Sequence, residues 1–366
     1  MSRNRAGIAL VVFVAIIGIY GAFTAGILTQ SAYVTQNNPT EQIGNSIESG
    51  KQVLGNMIEK TTGIINPKPP PAKKELYQYA LRVVNEDRKT HGVGPVVLSN
   101  IESAQNHADD MLNSGYFSHW NTDGVKPYAT YTKLEGRGKV DENISYVMAH
   151  CLAANCFANS FDPFKEINDT EYSMMYDDAS SNWGHRDNII NPDHTRVNFG
   201  IAYNSQRFYF VEHFENDIVD WKITQLNGNQ LHLVGQIPSG YLLDHIEVFL
   251  DPSPKPLSSE DLNGMPPYNA GYYDQGELAG VILPQLTGNY YYTECGTGKT
   301  TLHSTKGDWC VDYTTFVNTS SFHNRIDIMS DVSKWQGTGL HTIYVSLKKP
   351  NGEQVSVSSM TLEYMR

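Results

Sequence analysis

The sequence predicts an α+β chain in three parts: a membrane-spanning N-terminal helix, a mixed domain whose helices precede a closing strand pair, and a C-terminal all-β sandwich. Three observations carry this. Gly7 to Leu28 is an uncharged, apolar run of 22 residues, enough to cross a hydrocarbon core of about 30 Å. From residue 73 to 217, apolar residues recur at helical spacing and two strand-like runs follow. After Asp217 the pattern changes to short alternating runs separated by Gly, Pro and Asn clusters.

Residues 1–28 are the anchor. Arg3 and Arg5 precede the apolar run and no basic residue follows until Lys51, so the N-terminus stays in the cytoplasm and everything after Leu28 is exported. A cleaved signal sequence is the alternative, with a small-residue site near Ser31-Ala32. Its usual apolar core of about 7–15 residues is shorter than this run. Residues 29–72 form a polar, Pro-rich linker. In it Ile43, Ile47, Leu54, Met57 and Ile58 recur near helical spacing, interrupted by Gly44, Gly50 and Gly55, and Pro67-Lys68-Pro69-Pro70-Pro71 forms a stiff spacer.

Residues 73–217 form the mixed domain. A helix over 74–91 places Leu76, Tyr79, Ala80, Val83 and Val84 on one face, with Gly92 as its stop. A second runs from Asn100 to Ser114 with Ile101, Ala104, Ala108, Met111 and Leu112 inward, ending at Gly115. Residues 116–165 are turn-rich, a third helix is expected over 170–182, and strands over Asn198–Tyr203 and Phe208–Phe214. Residues 218–366 carry alternating runs at Gln230–Ile237, His245–Leu250, Glu277–Leu283, Asn289–Glu294, His323–Met329, His341–Lys348 and Gln354–Tyr364. That number of short strands is what a β-sandwich needs.

The net charge of −12, with no Lys/Arg cluster, argues against nucleic acid as a partner. The four cysteines fall in two local pairs. In an exported chain they are expected to form Cys151–Cys156 and Cys295–Cys310 disulfides, and neither pair has the Cys-x-x-Cys spacing of a zinc site. Sequons at Asn143, Asn168 and Asn318 are compatible with glycosylation.

The middle domain holds an ordered set of phrases. These are Val84-Asn85-Glu86-Asp87-Arg88, then His107-Ala108-Asp109-Asp110-Met111, then Tyr116-Phe117-Ser118-His119 and Asp123-Gly124. Glu142-Asn143-Ile144 and Gly184-His185-Arg186-Asp187-Asn188-Ile189 follow. The series resembles the CAP superfamily of cysteine-rich secretory, antigen 5 and pathogenesis-related proteins, and is nearest to its SCP-like prokaryotic branch. The resemblance implies a CAP-type α-β-α sandwich with a cleft where two His and two acids meet and bind a divalent metal such as zinc. It places His119 and His185 as the histidines and Glu142 as the first acid. Glu171 or Glu166 would be the second, and Glu171 is preferred because it opens the expected third helix. Asn182-Trp183 stands where the branch tends to carry Ser-Pro. His107, on a helix beside core alanines, is read as structural.

From the residues alone, two imidazoles and a carboxylate suit zinc. No Gly-x-Ser-x-Gly elbow, His-Glu-x-x-His helix or phosphate-binding Gly loop is present. Two functions follow from different classes. One is a membrane-anchored surface module that binds a lipid, glycan or protein in a metal-containing cleft. The other is a metal-assisted hydrolase acting on peptides.

Overall fold

The computed structural model describes residues 70–364 except 150–160, 252, 266–275, 287, 289, 305–306, 317–323, 336 and 338. The expected anchor, the linker, the Cys151–Cys156 pair and Asn318 lie outside the described residues. Among the described residues, no helix is long and apolar enough to cross a membrane. Pro71–Arg366 pack as one compact unit.

Helix α1, Lys73–Thr90, buries Leu76, Ala80 and Val84, the apolar stripe of its sequence. Arg88 extends that stripe. Its guanidinium donates to the carbonyls of Gly94 at 2.8 Å, Ile189 at 2.6 Å and Asn191 at 3.0 Å, so a buried charge is satisfied by backbone. Strand β1 is Val97–Leu98. Helix α2, Ser103–Ser114, ends on Gly115 in the left-handed conformation, φ 72°. Helix α3, Pro127–Lys133, and strand β2, Lys139–Met148, occupy the region 116–165, whose sequence is mixed with turn residues throughout. The strand is hidden in the sequence because its polar residues serve the site.

Helix α4 spans Pro163–Tyr176, earlier than the expected 170–182. The start signal is local: Asp162 accepts from Phe164 N and Pro163 takes the first helical position. The chain then turns through Asn182 (φ 52°) and Trp183 (φ 64°) into α5, Gly184–Ile189. Strands β3, Arg196–Tyr203, and β4, Arg207–Asn216, complete a sheet of order β1-β3-β4-β2.

Strand alternation divides this sheet into two faces. Ile144, Ala202, Tyr209 and Val211 pack on α2 through Ala104, Ala108 and Met111. Phe199, Ile201, Phe208, Phe210 and Phe214 pack on α1 and α4 through Ala80, Val84, Ile167 and Met175. Gly200 is required where α2 approaches: a Cβ there would lie 2.0 Å from the Ala104 carbonyl oxygen.

The second half adds β5 (Asp220–Asn227), β6 (Gln230–Gln236), β7 (Leu242–Asp251), α6 (Ser259–Gly264), β8 (Glu277–Pro284), β9 (Glu294–Gly296), β10 (Lys299–Ser304), β11 (Gly307–Phe316), β12 (Arg325–Asp331), β13 (Gly339–Lys348) and β14 (Gln354–Tyr364). A three-stranded sheet, β12-β6-β5, and a seven-stranded sheet, β14-β13-β7-β8-β11-β10-β9, share one core of Leu231, Leu233, Ile328, Ile246, Val248, Ile343 and Val345. Cys295 and Cys310 are joined. Closing a loop of 15 residues is worth about 3 kcal/mol in the chain-entropy account. The expected strand at Asn289–Glu294 is only β9 at its end, and Tyr290 and Tyr291 before it are exposed.

The packing crosses residue 217. Leu262 of α6 is buried in the α2-side core of the first half. Val140 N donates to Ser359 Oγ at 3.1 Å, and Thr361 N donates to Thr132 Oγ1 at 3.0 Å.

Candidate metal and ligand cleft

Adjacent residues of β2 point to opposite faces, so Glu142 and Asn143 serve two different groups. Across the ladder to β4, Glu142 faces His213 and Asn143 faces Glu212. On the α2 side, Ser103 and His107 sit four residues apart and so share one face of the helix. The loop after α2 brings His119 to the same place.

Glu142 is buried and collects three imidazoles. His107 Nδ1 lies 2.6 Å from Oε2, His213 Nε2 lies 2.6 Å from Oε2, and His119 Nδ1 lies 2.7 Å from Oε1. Burial pushes the Glu142 carboxyl up. The His107 charge and the three imidazole hydrogen bonds outweigh it and hold the group well below the usual carboxylate range. Glu142 is therefore an anion, and each imidazole donates one N–H to it. His213 Nδ1 lies 2.7 Å from Ser103 Oγ, which also donates to Asn198 Oδ1 at 3.3 Å. Asn198 completes the set, its Oδ1 accepting from Ala104 N at 2.9 Å and its Nδ2 donating to Glu215 at 2.8 Å.

Ser103, His213 and Glu142 have the connectivity of a serine–histidine–acid triad. Ser103 and His213 are buried at the floor of a cavity, and the Ser103 hydroxyl is already engaged by His213 and Asn198. Ser103 instead fixes the ring of His213.

His107, Glu142 and His213 offer ligand atoms that all lie within 4.8 Å of one another. Two imidazoles and a carboxylate are a donor set that zinc uses with an open fourth position. Ser103 holding the far nitrogen of His213, and His119 holding the far oxygen of Glu142, are the outer supports such ligands require. A cation would replace the two ring protons that now bind Oε2. The residues therefore fit a divalent metal. A cavity of about 650 Å³ opens on this group and is lined by Ser103, His107, His119 and His213. Pro254, Leu340, Thr361 and Glu363 of the second half close it.

The opposite face holds the other two expected residues. Glu171 of α4 is buried against Glu212. Burial and the neighbouring acid raise Glu171 well above the carboxylate range, and burial raises Glu212 to about 7. Asn143 Nδ2 donates to Glu212 at 3.1 Å and to the His185 carbonyl at 3.2 Å. The side chain of Asn143 is thus buried in this network, whereas Asn168 on α4 is exposed. His185 Nδ1 lies 2.7 Å from Asp178 Oδ1, and Asp178 Oδ2 also accepts from His185 N and Arg186 N. Asp178 thereby binds the first turn of α5. Glu166 lies in the first turn of α4.

Of the residues expected from the sequence, the structure brings His119 and Glu142 together. It seats His185 on Asp178 and Glu171 on Glu212. Among the described residues, no metal-competent group joins His119 to His185. His107, expected to be structural, touches Glu142 and lines the cavity. His213 lies beyond the expected site residues, although His213 and Glu212 inside the strand run Phe208–Phe214 are a signal: buried polar groups need partners. Asp178 gave none, because its role depends on the left-handed turn at Asn182 and Trp183.

A family model described as "CAP: Cysteine-rich secretory protein family" matches residues 81–214. Among solved structures, the chain is similar to an extracellular protein containing an SCP domain from Bacillus anthracis str. Ames, at 17% identity over 40% of this chain and 44% of that one, TM-score 0.30. It is also similar to the CAP domain of enterococcal PrgA, at 14% identity over 44% of this chain and 77% of that one, TM-score 0.27. The chain thus spans less than half of the Bacillus protein. No curated protein sequence matches it.

Proposed function

With residues 81–214 forming a CAP domain, we propose that the protein is a membrane-anchored module whose cleft, outside the cytoplasm, binds a lipid, glycan or protein ligand together with a divalent metal. The observation that carries this is the buried Glu142 carboxylate collecting His107, His119 and His213 beneath a cavity. The Gly7–Leu28 run supports the anchor, and Arg3 and Arg5 support export of the rest. The Cys295–Cys310 disulfide supports an oxidising compartment.

The test is metal analysis of the full chain in detergent, followed by zinc titration calorimetry of wild type and Glu142→Gln. One ion per chain, lost in the variant, is the expected result. A wild type that takes up no zinc overturns the metal-dependent reading.

The donor set also favours a second reading, metal-assisted hydrolysis. A bound zinc-like ion would supply Lewis acidity toward a carbonyl in the cavity. His119 lines the cavity and is hydrogen-bonded to Glu142 Oε1. Chelator-sensitive peptide cleavage that fails in His119→Ala would establish this reading over binding alone.

A further inference from the structure

We propose that the cleft is a composite of both halves of the chain, and that Asp251 together with Ser253–Met265 forms a strap that positions the loop carrying His119. This rests on the functional reading above.

The strap runs against the loop in reversed order. Asn263 Oδ1 accepts from Phe117 N at 3.0 Å and its Nδ2 donates to the Gly115 carbonyl at 3.4 Å. Leu257 N donates to the Thr122 carbonyl at 2.9 Å. The Lys255 carbonyl oxygen lies so near Gly124 (φ 73°) that a Cβ there would come within 2.0 Å of it. Asp251 Oδ1 lies 2.5 Å from Lys126 Nζ, and Asp251 Oδ2 accepts from Tyr128 at 3.2 Å. Six contacts thus follow the loop from Gly115 to Tyr128, with His119 inside the span.

Both ends of the strap are secured. Leu262 is buried against Ala108, Met111 and Tyr116, with Leu257 and Met265 packed beside it. At the other end the Lys126–Asp251 pair is buried, with the ammonium 5.0 Å from the Trp120 ring centroid. Phe117–Lys126 contain no helix or strand of their own. A loop of that kind holds a side chain accurately only if a neighbour fixes its backbone. Here the neighbour belongs to the second half. That half also supplies Leu340, Thr361 and Glu363 to the cavity wall, so a ligand filling the cavity touches both halves. The Asp123-Gly124 phrase gains a reason: glycine is needed because the strap backbone occupies the space of a side chain.

Asn263 is exposed, so replacing it tests positioning without opening the core. In the full chain, Asn263→Ala is expected to weaken zinc binding about tenfold, the loss typical of an outer support. The ring ¹⁵N signals of His119 should shift, and the amides of residues 115–123 should exchange faster, while the melting temperature stays near wild type. Asn263→Asp keeps the acceptor for Phe117 N and should restore most of the affinity, whereas Glu260→Ala on the exposed side of α6 should change nothing. Wild-type affinity and wild-type His119 signals in Asn263→Ala would show that the strap merely packs, and would overturn the proposal. If the wild type itself takes up no zinc, the metal reading fails, while the His119 signals and amide exchange still decide the positioning role.

Discussion

His213 Nε2 and Glu142 Oε2 face each other across the β2–β4 ladder at 2.6 Å, and His107 Nδ1 meets the same oxygen at 2.6 Å. One carboxylate oxygen thus collects two imidazoles, while its partner oxygen holds His119. This arrangement separates two ligand sets. His107→Ala or His213→Ala should abolish zinc binding measured by calorimetry, whereas His185→Ala should leave the affinity within about threefold, because Asp178 holds that ring elsewhere. Loss of binding in His185→Ala with retention in His107→Ala would restore the pair expected from the sequence, His119 with His185.

The Glu171–Glu212 pair is a cost at high pH. An acid whose folded pKa is raised binds its proton more tightly in the folded state. Stability is therefore full below the unfolded carboxylate value, near 4.3, and falls as pH rises toward the folded value, about 7 for Glu212. Glu171→Gln removes one ionisable partner. Urea denaturation should show it more stable than wild type at pH 8, with the difference shrinking as pH falls to 4. A variant destabilised at both values would contradict this.

Asp251→Asn should be costly. It leaves the Lys126 ammonium buried without its anion, a loss of about 3–5 kcal/mol. Thermal unfolding should fall by several degrees. Lys126→Met with Asp251→Leu, which removes both charges, should recover much of the loss. If the single and double variants melt alike, the pair contributes little.

His194 sets an acid limit. It is buried, with Nδ1 and Nε2 each 2.7 Å from an amide oxygen, Asn216 Oδ1 and Asn188 Oδ1, and burial lowers it to about 4. The unfolded chain binds its proton near 6.5, so stability is complete above that value and declines as pH falls toward 4. The full shift corresponds to about 3 kcal/mol. Denaturation between pH 7 and pH 4 should show this slope, and His194→Gln should flatten it. An unchanged slope in the variant would assign the acid loss to other groups.

Local signals made much of the first half legible in the sequence. The stripe of Leu76, Ala80 and Val84 defined α1, Gly115 ended α2, and two strand-like runs marked β3 and β4, because helix faces, caps and strand composition are properties of neighbours a few residues apart. His119 and Glu142 were legible as site residues only through an ordered series of phrases. Strand β2 was not, since Glu142 and Asn143 replace the apolar alternation that would reveal it. The tertiary structure alone decided the rest. It set His107 and His213 on one oxygen of Glu142 and gave Glu171 to Glu212. It also laid Asp251 and Ser253–Met265 along the His119 loop, more than a hundred residues away in sequence. Those pairings depend on which face of a strand meets which helix and on where two distant segments close. Hydrophobic spacing carries no record of a partner that lies beyond a turn, so only the packed chain could show them.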